Sequence, residues 1–233
     1  MRENKIGAIV IKIFAVLVVL GTAHRAMAQD AKTPHPRKAP IEQYLMADQE
    51  AEVALARSAA PGAISRDAEI LVLGRHGFET AVKGKNGFVC IVERSWTSAA
   101  DADFWNPKVR TPICYNAAAA RSLLPRNLKR TELILAGQTK AQTDEAIFAA
   151  VDTKELPAME PGTMCYMMSK QGYGGDSVPH WPSHLMFYFS QTELGLWGAN
   201  VPGSPVIGIT DPREHVTTFV IPVQHWSDGT EDH

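Results

Sequence analysis

The sequence predicts an α+β fold: a single domain with a mostly antiparallel sheet and two or three helices packed on it. Three observations predict it. Short β runs come in groups, across residues 69–93 and again across 163–223, instead of alternating one by one with helices. Helical patterns fall outside those groups, at 41–60, at 116–124 and after Thr139. Of 233 residues, 45% are hydrophobic and 21% charged, so the chain can bury a core without depending on cross-links.

The first residues read as an export signal. Arg2, Lys5 and Lys12 give positive charge, Ile6 to Leu20 is apolar apart from Lys12, and Ala26-Met27-Ala28 supplies a small-x-small cleavage pattern. The apolar run is shorter than the roughly 20 residues a membrane-spanning helix needs. The expectation is a cleaved signal over 1–28, no stable membrane insertion afterwards, and a periplasmic or extracellular address. Residues 29–40, rich in Lys, Arg, Pro and Ala, read as a flexible linker, and 41–233 as the single folded domain. The chain carries a formal net charge of −2, and the leader is its most basic part. Nucleic acid is therefore not an expected partner, because no basic stripe is present.

Ile41 to Ala60 reads as a helix ended by Pro61-Gly62. Glu69–Gly74, Glu79–Lys83 and Phe88–Glu93 read as strands of a meander, the last two joined as a hairpin by the turn-forming Asn86-Gly87. Thr97 to Pro112 reads as a connection. Asn116 caps a short helix that Pro125 stops, and Thr139 with Gln142 forms a capping box that opens another. Four further strands follow at 163–169, 184–190, 206–210 and 216–223, with Pro222 at an edge or a strand end.

Export bears on the cysteines. Cys90, Cys114 and Cys165 allow three pairings in an oxidising compartment, and the pair closest in sequence, Cys90 with Cys114, is favoured. Cys165, among Met164, Tyr166, Met167 and Met168, reads as a buried strand residue and not as a nucleophile.

The order Asn86-Gly87-Phe88-Val89-Cys90, Cys114, Met164 to Met168, Ser183-His184-Leu185-Met186, then Glu214-His215 before Ile221-Pro222-Val223, resembles an uncharacterised family of exported bacterial proteins. The resemblance runs from about Glu50 to Val223. It implies an architecture and an address, and no reaction.

The densest chemistry lies in Pro179-His180-Trp181-Pro182-Ser183-His184, which leads into the apolar run Leu185 to Phe189. His180, His184 and His215 could ligate zinc or another divalent metal; no other cofactor is expected. Without metal, His184, His215 and Glu214 would be the catalytic set of a hydrolase. Against this, His180 and His184 align on one face only in a helix, and Pro179 and Pro182 disfavour one. Arg75-His76-Gly77 lacks the rest of a histidine-phosphatase signature and reads as a turn, and no Gly-x-Ser-x-Gly elbow occurs. The function expected is an exported binding or structural module with a small-molecule ligand, and the alternative is that hydrolase. The oligomeric state is left open.

Overall fold

In the first folded segment the chain bends more often than its apolar pattern suggests. The computed structural model describes residues 35–97 and 103–232; the expected signal at 1–28 and the first half of the linker, 29–34, lie outside them. The helix expected over 41–60 divides into a 3₁₀ turn at Ile41–Gln43 and one α-helix, α1 (Gln49–Arg57), and the Pro61-Gly62 expected to end it opens a further short helix, α2 (Gly62–Ser65). Asp48 causes the restart: its carboxylate accepts the Glu50 N–H at 2.8 Å and caps α1.

Eight strands form one sheet in the order β2-β1-β3-β4-β5-β6-β8-β7. Their ranges are β1 (Glu69–Gly74), β2 (Gly77–Val82), β3 (Val89–Glu93), β4 (Thr111–Tyr115), β5 (Met164–Met167), β6 (His184–Ser190), β7 (Ile207–Asp211) and β8 (Val216–Pro222). All neighbours are antiparallel except β1 and β3. The hairpin in the first half is β1–β2, turned at Arg75-His76, and not the one expected at Asn86-Gly87. Those two residues redirect the chain so that β3 joins the far side of β1. Asn86 accepts the Phe88 N–H at 3.0 Å and donates to the Ile64 carbonyl at 2.8 Å. The crossing runs so close that a Cβ on Gly84 would lie 2.2 Å from the Glu69 nitrogen.

Cys90 and Cys114 face each other directly in the β3–β4 ladder and are joined as a disulfide. The connection expected over 97–112 overlaps β4 at Thr111 and Pro112, and a proline within a sheet is normally excluded. It is tolerated because β5 pairs only with Cys114 and Tyr115, so at Pro112 the strand has a single ladder neighbour.

Three helices follow or interrupt the sheet: α3 (Ala117–Ser122), α4 (Leu124–Leu135) and α5 (Lys140–Asp152). The Asn116 cap and the Thr139–Gln142 capping box form as expected. Pro125 does not stop a helix; it occupies the first turn of α4, where its missing N–H removes no intrahelical bond. The five α-helices thus exceed the expected two or three. Helix α1 covers one face of the sheet, burying Leu55 and Ala56 on Ile70, Val72 and Val92. Helices α3 and α4 cover the other, over Ile91, Ile113, Tyr115 and Cys165.

Strand β6 occupies its expected span, with Leu185, Phe187 and Phe189 opposite in face to His184, Met186 and Tyr188. No helix covers the phenylalanine face. A 3₁₀ turn, Leu194–Trp197, lies over it and stacks Trp197 on Phe219 at 4.5 Å. The edge strand β7 is blunted by Asn200, whose side chain bonds both the N–H and the carbonyl of Gly208 at 3.0 and 2.8 Å. Among the described residues no helix is long and apolar enough to cross a membrane.

Candidate functional site

The β6–β8 ladder decides the fate of the histidine set. His184 pairs with Pro222 at one end, and Ser190 pairs with Val216 at the other. His215, one residue before Val216, is therefore about 24 Å along the strands from His184, at roughly 3.4 Å per residue. Neighbouring strands were not enough: antiparallel pairing puts the start of β8 beside the end of β6. Among the described residues no group of three or more His, Cys, Asp or Glu side chains is placed to hold a metal ion.

His180 and His184 do come together, because the chain bends at Pro182. They line a cleft of only about 20 Å³ with Thr111, Pro112, Met167, Ser169 and Trp181, room for about one water. His184 Nδ1 lies 2.7 Å from the Pro182 carbonyl and His180 Nδ1 3.2 Å from that of Gly172. Burial holds the His184 imidazole below its ordinary value, and no carboxylate lines the cleft. His184 is a buried loop anchor, while His180 is exposed, its ring 5.1 Å from that of Trp226. Cys165 is fully buried, 3.5 Å from the Tyr188 hydroxyl, and burial pushes its thiol far up, away from a reactive thiolate.

The larger concavity, about 530 Å³, lies at the other end of β6. It is built from three parts: α4 through Arg126, the exit of α5 from Val151 to Ala158, and the strand ends at Ser190, Gln191 and His215. Val151, Leu156, Pro157 and Ala158 make its apolar wall; Arg126, Asp152, Lys154 and His215 supply charge. Such a mixture, at this volume, is typical of small-molecule sites.

Local sequence explains each part. Arg126 and Arg130 are four apart on α4 and so share a face. Both are buried, at 2% and 1% exposure. Asp211 accepts the N–H groups of Arg213 and Glu214 at 2.9 and 3.0 Å, folding the β7–β8 turn so that Glu214 points at this arginine face. Arg130 donates to Glu214 Oε1 and to Asp144 Oδ1, each at 2.6 Å, and Arg126 donates to the Glu214 carbonyl at 2.6 Å and that of Pro157 at 3.0 Å. Glu214, expected as a general base, is thus the counter-ion of two buried arginines. His215 leans away, with Nε2 3.4 Å from Asp152.

The backbone around the cleft is strained. Among the described residues four non-glycines have positive φ, and three of them, Lys154 (61°), Gln191 (36°) and His215 (54°), line this cleft. Lys154 follows the last turn of α5, its N–H on the Val151 carbonyl at 3.0 Å, where glycine is the usual residue. Lys154→Gly is expected to raise stability by up to about 1 kcal/mol in urea unfolding. The variant relieves a left-handed backbone cost of roughly 1–2 kcal/mol and adds a glycine entropy cost of roughly 0.5–1 kcal/mol. A loss of stability would show that the lysine side chain holds the fold.

A second polar group lies under α4. Glu93 accepts hydrogen bonds from the Tyr115 hydroxyl and, at 2.9 Å, from Asn127 Nδ2. Burial pushes its carboxyl up to about 7, against the downward pull of the tyrosine. Asn127 adjoins Arg126, and Tyr188 lies two positions before Ser190 on the same face of β6, so this polar row leads toward the cleft.

Sequence reasoning missed Arg126, Lys154, Gln191 and Glu93. The pair Arg126–Arg130 was detectable once Pro125 is read as a helix start; Lys154 gives no signal, since a glycine is what normally marks that position. Comparison of the chain with family models, curated proteins and solved structures finds no match in any of the three.

Proposed function

We propose that the protein is an exported binding module whose ligand site is the cleft between α4, the α5 exit and the β7–β8 turn. The observation that carries this reading is the concentration of strained backbone on one cavity: of the four left-handed non-glycines among the described residues, three line it. Strain of this kind costs stability and persists where the surrounding structure enforces it, most often at ligand sites. The leader at 1–28 supports the exported address, and the Cys90–Cys114 disulfide fits an oxidising compartment. Hydrolysis at His184, His215 and Glu214 has no geometric support, because the first is separated from the other two by the length of β6.

The test is a small-molecule fragment screen by thermal shift, run in parallel on the protein and on Ala158→Trp. Ala158 lines the cleft and is exposed, so the larger side chain fills the site without entering the core. A ligand at 100 times its Kd should stabilise the parent by about 2.7 kcal/mol and the variant hardly at all. Hits that stabilise both proteins equally would place binding elsewhere.

A further inference from the structure

Arg126 is a buried cation whose hydrogen-bonding capacity is only partly used. One terminal nitrogen donates to the Glu214 carbonyl and the other to the Pro157 carbonyl. Its Nε–H has no partner among the described residues. The nearest carboxylate oxygen, Glu214 Oε2, stands 3.6 Å away, beyond hydrogen-bond reach. Nor can the neighbouring acids be diverted. Glu214 Oε1 is taken by Arg130 at 2.6 Å, and Asp144 is shared between Arg130 at 2.6 Å and Lys140 at 2.7 Å. Arg126, Arg130 and Lys140 thus draw on Glu214 and Asp144, with Asp211 adding a further attraction to Arg126. A buried guanidinium whose Nε–H is unpartnered, and whose contact with its counter-ion Glu214 is a 3.6 Å ion pair, has donor capacity left unused in the empty protein.

Arg126 lines the 530 Å³ cleft, and on the same wall Lys154 stands exposed, held there by a left-handed backbone. The one carboxylate in the lining, Asp152, has His215 3.4 Å away. The rest of the wall is apolar, from Val151, Leu156, Pro157 and Ala158.

We propose that the cleft takes a small anion, a carboxylate or a phosphate, gripped by Arg126 and Lys154, with an apolar body against the α5 exit. This inference rests on the binding reading above and specifies its ligand class. An arginine in the wall with an unpartnered N–H and an exposed lysine beside it together recognise an oxyanion: the first fixes its orientation, the second adds charge. The apolar wall gives the remainder of the ligand a surface to bury.

The test uses three probes on ¹⁵N-labelled protein: hexanoate, its neutral counterpart hexanamide, and inorganic phosphate, followed at the amides of Lys154, Gln191 and His215. Saturable shifts with hexanoate or phosphate are expected, with hexanamide at least about tenfold weaker, the ratio expected for a charge-assisted contact worth roughly one power of ten. Whichever of hexanoate and phosphate binds more tightly identifies the anion class. Lys154→Met should weaken binding by about the same factor; being exposed, it leaves the fold intact. Arg126→Lys keeps the charge and loses the guanidinium, and should bind more weakly still wherever it folds. Hexanamide binding as tightly as hexanoate at these amides would overturn the anion inference and leave the binding reading standing. Fragment hits in the cleft with no response to either anion would do the same. Silence of these amides to the anions and to every fragment would overturn both.

Discussion

Glu214→Ala is expected to lower the unfolding free energy by about 3 kcal/mol, the low end of the cost of leaving a buried charge without its partner. The low end applies because Glu214 is itself 17% exposed, against 3% and 1% for the side chains of Arg126 and Arg130. The variant strips Arg130 of one of two carboxylates and Arg126 of its ion-pair partner, while the carbonyl that Arg126 uses is retained. Glu145→Ala is the control. Its pairing with Arg213, at 3.6 Å between side chains 72% and 57% exposed, is screened by water, so stability should not change measurably. Urea unfolding of the two variants separates the roles. A Glu214 variant as stable as the parent would mean that the arginines are compensated elsewhere, and the account of α4, α5 and the β7–β8 turn as one electrostatic unit would fail.

Glu93→Gln should change the pH dependence of stability between pH 4 and 8. The carboxyl titrates at about 7 in the folded protein against an ordinary value of 4.5. The folded state thus holds its proton more tightly than the unfolded chain. The favourable contribution is complete below pH 4.5 and is lost as pH rises through 7. The difference corresponds to about 3 kcal/mol at 1.36 kcal/mol per pH unit. Glutamine keeps an amide oxygen for Tyr115 and Asn127 and never ionises. The variant should therefore match the parent near pH 4 and exceed it by about 3 kcal/mol at pH 8. Chemical denaturation at pH 4, 6 and 8 checks the sign as well as the size. Parallel curves at all three values would show that Glu93 is solvated and titrates as an ordinary carboxylate.

Much of the framework was legible before any coordinate. The Asn116 cap, the Thr139–Gln142 capping box and the β6 span His184–Ser190 follow from short-range chemistry, and they form where the sequence places them. The disulfide was favoured on proximity in sequence, and the β3–β4 register realises it. Pro125 misled for a reason that Pro112 shares. Pro112 and Pro125 carry the same local prohibition, and whether it applies depends on which neighbour would have needed the missing N–H. At Pro112 the ladder has one side, and at Pro125 the helix has only begun.

The site divides along the same line. By itself the sequence determined the α+β class, the grouped strands and the supply of candidate residues, because periodicity, caps and turn chemistry act over a few positions. Which of those residues meet was decided by tertiary structure alone. Antiparallel pairing of β6 with β8 put His215 at the far end from His184 and brought it beside Arg126, Lys154 and Gln191, residues from elements far apart in the chain. No local pattern carries that information. The separation of two side chains in a sheet depends on strand order and register, and these are fixed by packing across the whole core.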